Sequence, residues 1–233
     1  LALYRLQERL ITEFPKLLLE NCSGGGARFD PGMLFYSPQI WCSDDTDAIE
    51  RLSIQEGTSL VYPLSTMGAH VSVCPNHACG RVTPFKTRGY VALSGTFGYE
   101  LDITKLPPEE RAMIPGQITL YKKFGDLVRN GDYNRIASYS ENNEYDCWAS
   151  IAKDKSKALV TFIQVLNHPN YKTRFIKISG LKAEAKYKVT WPDEDQSKFQ
   201  SMEVTGLTIA KAGIPVRRDW GDFQGQLIYI EEI

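Results

Sequence analysis

The fold is decided by the stretch QIWCSDDTDAIERLSIQEGTSLVYPL, residues 39–64. Its first residues, QIWC (39–42), form a short apolar run that is typical of a buried strand. A helical pattern with an acidic start follows over 43–57, and Gly57 is the expected C-terminal cap. The run SLVYPL (59–64) then predicts the next strand. A strand, a loop, a helix and another strand make one unit of a parallel α/β sheet.

The pattern begins upstream of this stretch. Leu3, Leu6, Leu10 and Phe14 are spaced by three and four residues, which predicts an amphipathic helix that must end before Pro15. The apolar run LLLEN (17–21) follows and ends in the Gly-rich turn CSGGGARFDPG, as a strand buried on both faces would.

The pattern also continues downstream. We expect a helix near 83–93 and a strand near 94–98, followed by a longer helix that begins at Pro107 and Pro108. Pro115 should bend or locally break that helix. Four strand–helix units thus occupy about 130 residues, whereas a complete (β/α)₈ barrel needs about 250 residues. The sequence therefore predicts half of a TIM barrel, or a small open sheet, over residues 1–130.

The residue pattern changes after residue 130. Short segments rich in β-branched and aromatic residues alternate with turn residues, which predicts an all-β domain over 131–233 that we expect to be an antiparallel β-sandwich. The predicted strands are RIASYS, YDCWASIA, ALVTFIQVLN, TRFIKIS, YKVTWPD, MEVTG and QLIYIEEI. The fold class is therefore α/β plus all-β.

Composition limits the classes of function. The 233 residues carry a formal net charge of −1 and are 42% hydrophobic, which argues against a general nucleic-acid binder and against intrinsic disorder. No apolar run has the roughly 18–20 residues of a membrane helix. Five scattered cysteines do not form a disulfide framework, so we expect a cytoplasmic protein with reduced thiols and no nucleic-acid or membrane partner. The first residue is not Met, which suggests a chain cut from something longer.

The Gly-rich turn is the first candidate site. It follows a predicted buried strand, where backbone amides often face a ligand, but it is neither a Walker A loop nor a dinucleotide-binding motif. Three consecutive glycines indicate close approach of the backbone to a ligand or positive φ angles. A flexible turn is an equally good interpretation of the spacing alone.

The second candidate is the acidic cluster in WCSDDTDAIER. Asp47 and Glu50 have the D-x-x-E spacing of a helix cap, so we expect Asp47 to cap backbone amides. Asp44 and Asp45 precede the cap, and neighbouring carboxylates push their pKa values apart, as acid/base catalysis requires. We therefore favour a catalytic role for Asp44. Trp41, three residues earlier, is a candidate wall for a sugar ring, with core packing as the ordinary alternative.

Other chemistry has less support in the sequence. His70, His77 and His168 are isolated, and we interpret each as structural or solvated. Cys74, His77 and Cys79 lack the spacing of a zinc knuckle, so we interpret them as loop residues and expect no metal site. No G-x-S-x-G elbow is present, and the chemistry considered below needs no cofactor.

The run ENCSGGGARFDPGMLFYSPQIWCSDDTDAIERLSIQEGTSLVYPLSTMGAHVS closely resembles the bacterial α-galactosidases, or melibiases, of glycoside hydrolase family 36. The resemblance continues through GTFGYELDITKLPPEER and DFQGQLIYIEEI, and so covers nearly the whole chain. It implies a retaining α-galactosidase that acts on melibiose- or raffinose-type oligosaccharides, with a (β/α)₈ barrel followed by a β-sandwich. Relatives in this family are commonly tetramers, so a homo-oligomer is expected.

The resemblance also implies roles for individual residues. The first Asp of S-D-D-T-D, Asp44 here, corresponds to the general acid/base. The stretch Cys22, Ser23, Gly24 and Gly25 corresponds to the lining of the galactose pocket. Asp45 is expected to bind a hydroxyl group or to support the site.

One departure from the family is important. The family's nucleophile is an Asp in a K-x-D motif at the end of the fourth barrel strand, and this motif is absent from the chain. We therefore expect these 233 residues alone to be inactive and to need an upstream half. Two alternatives stay open: a non-catalytic carbohydrate-binding or assembly fragment, and an α-galactosyl transferase or N-acetylgalactosaminidase of the same family.

Overall fold

The structure is a computed structural model that describes residues 2–22, 24, 29–170, 173–194 and 200–233. It has an N-terminal region of parallel strands and helices and a C-terminal region built on a large antiparallel sheet. None of the described helices has the length and apolar character needed to cross a membrane.

The N-terminal region begins with helix α1 (Ala2–Glu13), which ends before Pro15 as predicted. None of its residues is buried, although it carries the predicted apolar stripe. A second helix, α2 (Pro31–Tyr36), is capped by Asp30, whose side chain accepts a hydrogen bond from the Met33 amide at 2.8 Å. Tyr4 donates to the same carboxylate at 3.0 Å, so Asp30 also joins α1 to α2.

The described residues of the N-terminal region form four strands, β1 (Glu20–Asn21), β2 (Gln39–Ile40), β3 (Gly68–Ser72) and β4 (Thr96–Glu100). β1 pairs with β2 and β3 pairs with β4, both in parallel. A parallel bridge between Ile40 and Met67 places β2 next to the start of β3. The order β1-β2-β3-β4 is consistent with the predicted half of a TIM barrel.

The predicted strand at 59–64 is wrong. Helix α3 (Glu50–Ser59) begins later than predicted and continues past Gly57, and Leu64–Thr66 form a 3₁₀ turn before β3. Hydroxyl groups support the last turn of α3, since Thr58 donates to the Ile54 carbonyl at 2.9 Å. A short apolar run cannot by itself distinguish a strand from a helix end and turn, and Leu60 in this run is exposed.

The remaining helices of this region agree better with the sequence. Helix α4 (Phe85–Ala92) lies within the predicted 83–93. Helix α5 (Pro108–Asn130) begins at the predicted proline and runs without a break through Pro115, so of the two predicted effects, a bend or a local break, the break is absent. Beyond Pro115 the helix buries an apolar face, and this packing offsets the one backbone hydrogen bond that a proline removes. A second 3₁₀ turn, Ile103–Lys105, precedes α5.

The described elements of the C-terminal region are β5 (Asp132–Ala137), α6 (Tyr139–Asn142), β6 (Tyr145–Ile151), β7 (Lys157–Gln164), β8 (Phe175–Ile176), β9 (Lys186–Thr190), β10 (Met202–Thr205), α7 (Gly206–Lys211), β11 (Ile214–Pro215) and β12 (Gln224–Glu232). Six of the strands form an antiparallel sheet in the order β10-β9-β12-β7-β6-β5. A separate antiparallel pair joins β8 to β11, and β11 is a strand that the sequence did not predict.

Both faces of the six-stranded sheet are buried. Trp148 and Ile163 lie on the face that packs against α3, α4 and α5, within one core that both regions share. Cys147 and Phe162 lie on the opposite face, which packs against α7 and the β8–β11 pair. The second layer of the expected sandwich is thus a small two-stranded sheet with a helix. The domain boundary between residues 130 and 131 stays a prediction.

One close contact joins helix α4 directly to the sheet. Gly225 lies at the start of β12, and a Cβ atom there would come within 2.8 Å of the Tyr90 ring. Thr87, also on α4, donates a hydrogen bond to the Phe223 carbonyl at 2.8 Å. The absence of a side chain at Gly225 therefore allows α4 to lie flat on the sheet.

Candidate active site

The acidic loop after β2 is organised by its own side chains. Asp45 Oδ1 accepts a hydrogen bond from the Asp47 amide at 2.9 Å, and the Asp45 amide donates to Ser43 Oγ at 3.1 Å. Between Ser43 and Asp45, the Asp44 side chain is exposed. The loop thus presents one carboxyl group to solvent from a turn whose neighbouring residues bond to each other.

Asp47 caps helix α3, which confirms the prediction for this residue. Its Oδ1 accepts hydrogen bonds from the amides of Ile49 and Glu50 at 3.0 and 3.1 Å. The Arg81 guanidinium binds the same buried carboxylate and also pairs with Glu50 at 3.1 Å. Asp47 is therefore fully used by structure and is not available for catalysis.

The loop that follows β3 holds the acidic loop from the other side. Ser72 Oγ donates to the Thr46 carbonyl at 2.6 Å, and Asn76 Nδ2 lies 3.3 Å from Thr46 Oγ1. Both Ser72 and Asn76 are buried. Because parallel strands end at the same edge of a sheet, these contacts fix the Asp44 loop at the carboxyl ends of β2 and β3.

An open cavity of about 390 Å³ lies at these strand ends. It is lined by Glu20, Cys22, Trp41, His70, Tyr99 and Glu100. Cys22 and Trp41 directly follow β1 and β2, and Glu100 ends β4, so the cavity lies at the carboxyl ends of the strands, where barrel enzymes bind substrates.

Aromatic and polar groups make up the wall of the cavity. The rings of Trp41 and His70 stack with centroids 4.7 Å apart, and His70 Nδ1 lies 3.6 Å from the Glu100 carboxylate. Gly68 leaves room for the indole, because a Cβ atom there would lie 3.1 Å from a ring carbon of Trp41. A flat aromatic wall beside carboxylates suits a ligand with both apolar and hydroxyl faces, such as a sugar.

Tyr99 also lines the cavity, and its hydroxyl group is bonded to helix α5. Partial burial raises the pKa of Tyr99 to about 12, and its hydroxyl donates to Gln117 Oε1 at 2.8 Å. Tyr99 therefore stays protonated at neutral pH and cannot act as a base there.

The structure brings some of the predicted site residues together and not others. Cys22 and Trp41 line the cavity, whereas Asp44 and Asp45 lie in the neighbouring loop and are not among its lining residues. Gly24 has a φ angle of +66°, one of the two reasons for which the glycine run was singled out. Ser23 and Gly25 lie outside the described residues.

His70 is not isolated in the folded chain. It stacks on Trp41, which is compatible with the expected structural role, and it also lines the cavity together with Glu20, Tyr99 and Glu100, none of which the sequence patterns indicate. Because the sequence predicts a strand at 59–64 instead of β3, it does not place His70 beside the end of β2.

The cluster in VCPNHACG consists of loop residues, as predicted. Cys74 Sγ contacts the Thr83 carbonyl at 3.6 Å, and Cys79 Sγ lies 3.6 Å from the Asp47 carboxylate. Within the part of the chain that the structure describes, no group of three or more His, Cys, Asp or Glu side chains is arranged to hold a metal ion.

Two family models match the chain. The melibiase model matches residues 1–131, and the model of the glycosyl hydrolase family 36 C-terminal domain matches residues 145–230.

Curated relatives are α-galactosidases. The chain is 51% identical over 189 residues to α-galactosidase AgaA of Geobacillus stearothermophilus, a match that covers 81% of this chain and 26% of AgaA. It is 48% identical over 216 residues to the bifunctional α-galactosidase/sucrose kinase AgaSK of Mediterraneibacter gnavus, covering 93% of this chain and 22% of AgaSK. The chain thus spans about a quarter of the length of these relatives.

Solved structures extend the comparison to the fold. Crystal structures of Geobacillus stearothermophilus AgaA variants in complex with raffinose and with stachyose each superpose with a TM-score of 0.92. They are 42% and 43% identical to this chain, and each match covers 99% of this chain and 31% of the solved one.

Proposed function

The chain belongs to glycoside hydrolase family 36, and from this premise we propose that it carries the general acid/base half of a retaining α-galactosidase. The proposed substrates are oligosaccharides of the melibiose and raffinose type that end in an α-galactosyl residue. One observation carries the proposal: the exposed Asp44 stands in a loop that is anchored at the carboxyl ends of the parallel strands. The cavity walled by Trp41 opens at the same ends.

In the proposed mechanism Asp44 acts twice. In its protonated form it gives a proton to the glycosidic oxygen while a second carboxylate attacks the sugar, with the two carboxyl groups about 5–5.5 Å apart. In its ionised form it then takes a proton from the water that releases galactose. An exposed carboxyl group on an anchored loop suits both steps, because it can exchange protons with solvent while its backbone stays fixed.

The cavity is proposed to hold the galactosyl ring. Trp41 offers its ring to the apolar face of the sugar, and Cys22 lines the same cavity. The resemblance assigns Ser23, Gly24 and Gly25 to galactose binding together with Cys22. Asp45 is proposed to bind a sugar hydroxyl, beside its hydrogen bond to the Asp47 amide. The pocket residues bind and orient the sugar, and Asp44 moves the proton.

The nucleophile is proposed to come from a separate part of the polypeptide. The 233 residues contain no K-x-D motif, so we expect the chain alone to leave aryl α-galactosides and melibiose intact. Turnover by the purified 233-residue chain, measured by galactose release, would show that it contains its own nucleophile.

The role of Asp44 is best tested in a chimera in which this chain replaces the matching region of Geobacillus stearothermophilus AgaA. We expect Asp44→Ala to lower kcat/KM on melibiose by about 10²–10⁴-fold, the usual contribution of general acid catalysis. An aryl α-galactoside with a good leaving group needs little protonation, so its kcat/KM should fall far less. Added azide should restore turnover of that substrate and give α-galactosyl azide, because the small anion attacks the β-linked galactosyl-enzyme from the opposite face without base assistance.

Asp45→Ala is the matched control, since it removes the adjacent carboxylate and leaves Asp44. Asp45→Ala should lower kcat/KM by a similar factor for both substrates, and added azide should not change its turnover. If Asp44→Ala equals the unmodified chimera on both substrates, the acid/base assignment is wrong.

A further inference from the structure

Arg51 lies in the first turn of α3, behind the acidic loop, and its side chain is only 3% exposed. The guanidinium donates from Nη2 to the Gly68 carbonyl at 2.5 Å and from Nη1 to the Ser43 carbonyl at 3.3 Å. Nη1 also lies 3.5 Å from Cys42 Sγ. One side chain therefore connects helix α3, strand β3 and the residue immediately before Asp44.

The same guanidinium packs on the cavity wall. Its Cζ atom lies 4.6 Å from the centre of the Trp41 ring, and the same ring stacks on His70. Such cation–π contacts are strongest where water is excluded, as it is around this buried group. Arg51 thus touches both the aromatic wall and the backbone that leads to the carboxyl group.

The charge of Arg51 is not balanced by an ion pair. No carboxylate lies within ion-pair distance of it among the residues that the structure describes, and carbonyl oxygens and the indole ring surround it instead. Burying a guanidinium without a counter-ion is costly, and an apolar side chain could fill the same space at less cost. The arrangement is better explained by what the guanidinium holds than by stability.

We propose that Arg51 is a positioning residue, which fixes the Trp41 ring and the Ser43 backbone so that Asp44 meets the glycosidic oxygen in the correct geometry. This inference rests on the proposed role of Asp44. Proton transfer depends on a heavy-atom distance of about 2.6–3.2 Å, and a displacement of about 1 Å can cost a hundredfold in rate. Loosening Arg51 should therefore impair the step in which Asp44 donates its proton.

Arg88 provides a matched control. It is equally buried, and its guanidinium donates to the carbonyls of Ser72 and Thr83 at 2.7 and 3.0 Å. It also packs against Phe85, with Cζ 5.0 Å from the ring centre, but it pairs with Glu110 and touches neither Trp41 nor Ser43. Arg51 and Arg88 thus differ in two respects: Arg88 has a carboxylate partner, and only Arg51 contacts Trp41 and the Ser43 carbonyl next to Asp44.

The test compares Arg51→Lys with Arg88→Lys in the AgaA chimera. A lysine keeps the charge but cannot reach both carbonyl groups and cover the indole at once. We expect Arg51→Lys to lower kcat/KM on melibiose by about 10–100-fold and on an activated aryl α-galactoside by less than about threefold. Arg88→Lys should change kcat/KM by the same factor for both substrates.

A second measurement requires no turnover. Hydrogen exchange of the amides in residues 41–46 should accelerate in Arg51→Lys and stay unchanged in Arg88→Lys, at matched global stability. If Arg51→Lys does not fold, Arg51→Gln, which keeps one donor group, is compared in the same way.

The outcomes separate the two proposals. If Asp44→Ala has no effect, the proposed function fails. The other outcome is that Asp44→Ala impairs melibiose cleavage, but Arg51→Lys lowers kcat/KM equally for both substrates and leaves amide hydrogen exchange in residues 41–46 unchanged. In that case Arg51 is merely structural and the positioning role is wrong.

Discussion

The parallel and the antiparallel regions differ in how completely they cover their apolar surface. In the parallel region, Leu18 and Phe35 are 84% and 76% exposed, and no residue of α1 is buried. In the antiparallel region, every residue of β6 except the first is buried, and β7 is buried throughout after Lys157. The most completely buried strands therefore lie in the region that carries no candidate catalytic group, while the candidate site lies in the region that is left open.

The difference follows from strand connectivity. Each antiparallel strand from β5 to β7 lies beside the next in sequence, so the sheet can form from the chain itself. Among the described residues, the outer strands β1 and β4 each have a partner on one side only, which leaves unpaired backbone groups as a template for further pairing. These open edges and the exposed apolar side chains of α1 and α2 are surfaces on which further polypeptide could pack.

The largest expected effect is in the buried sheet. Phe162→Ala should lower the free energy of unfolding by about 3–5 kcal/mol, because the side chain is buried in the core between β7 and the second layer. Denaturant unfolding followed by circular dichroism measures the change. A loss below about 1 kcal/mol would mean that this core collapses around the cavity, and the comparison between the regions would weaken.

An intermediate effect is expected from Asp146 on β6. Burial raises the pKa of Asp146 to about 6, although the Arg135 guanidinium beside it acts in the opposite direction. Glu56 of α3 also binds Arg135, at 3.1 Å, and adds negative charge near Asp146. The Tyr139 amide donates to the Asp146 carboxylate at 3.3 Å and partly offsets this.

Because the folded state holds the Asp146 proton more tightly than the unfolded chain does, this contribution is fully present below about pH 4. It is lost as pH rises through about 6, at up to about 1.4 kcal/mol per pH unit. Asp146→Asn should remove that slope, so unfolding free energies of both proteins are measured between pH 4 and 7. Parallel curves would contradict the raised pKa. Calorimetry adds a sharper comparison: if the regions unfold separately, only the transition of the sheet should depend on Asp146.

The smallest effect on stability is expected at Phe35. Phe35→Ala removes the same side chain as Phe162→Ala from an exposed position and should change the free energy of unfolding by less than about 0.5 kcal/mol. It should instead reduce self-association of the isolated chain, measured by light scattering, since exposed apolar side chains promote it. Unchanged scattering would mean that the exposed face of α1 and α2 does not drive association.

The sequence predicted elements well where local chemistry decides them. The D-x-x-E spacing predicted the cap by Asp47, Pro15 predicted the end of α1, and alternating residues predicted β6 and β7. Each of these features depends on neighbours along the chain. Prediction failed where distant contacts decide. Residues 59–64 have the composition of a strand, but α3 continues and turns there, since the parallel partner of β2 starts at Met67 instead.

The candidate site shows the same division. Asp44, Trp41 and Cys22 could be chosen because motif spacing or the resemblance gives each of them a role. His70 and Arg51 could not, because their meaning comes from the stacking and hydrogen bonds that the folded strands create. Glu20 and Glu100 belong to the cavity only because β1 and β4 end at the same edge as β2 and β3.

The contact between Gly225 and Tyr90 limits how such enzymes can be recombined. A side chain larger than hydrogen at position 225 would collide with the tyrosine ring, so each of the two residues is compatible only with a narrow choice of the other. Exchanging the antiparallel region alone between two homologues would place the sheet of one protein against the helix α4 of another, and these two surfaces did not evolve in contact. In laboratory recombination, residues 20–233 are therefore expected to work best when they are exchanged together, with productive crossovers before the first strand rather than between α5 and β5.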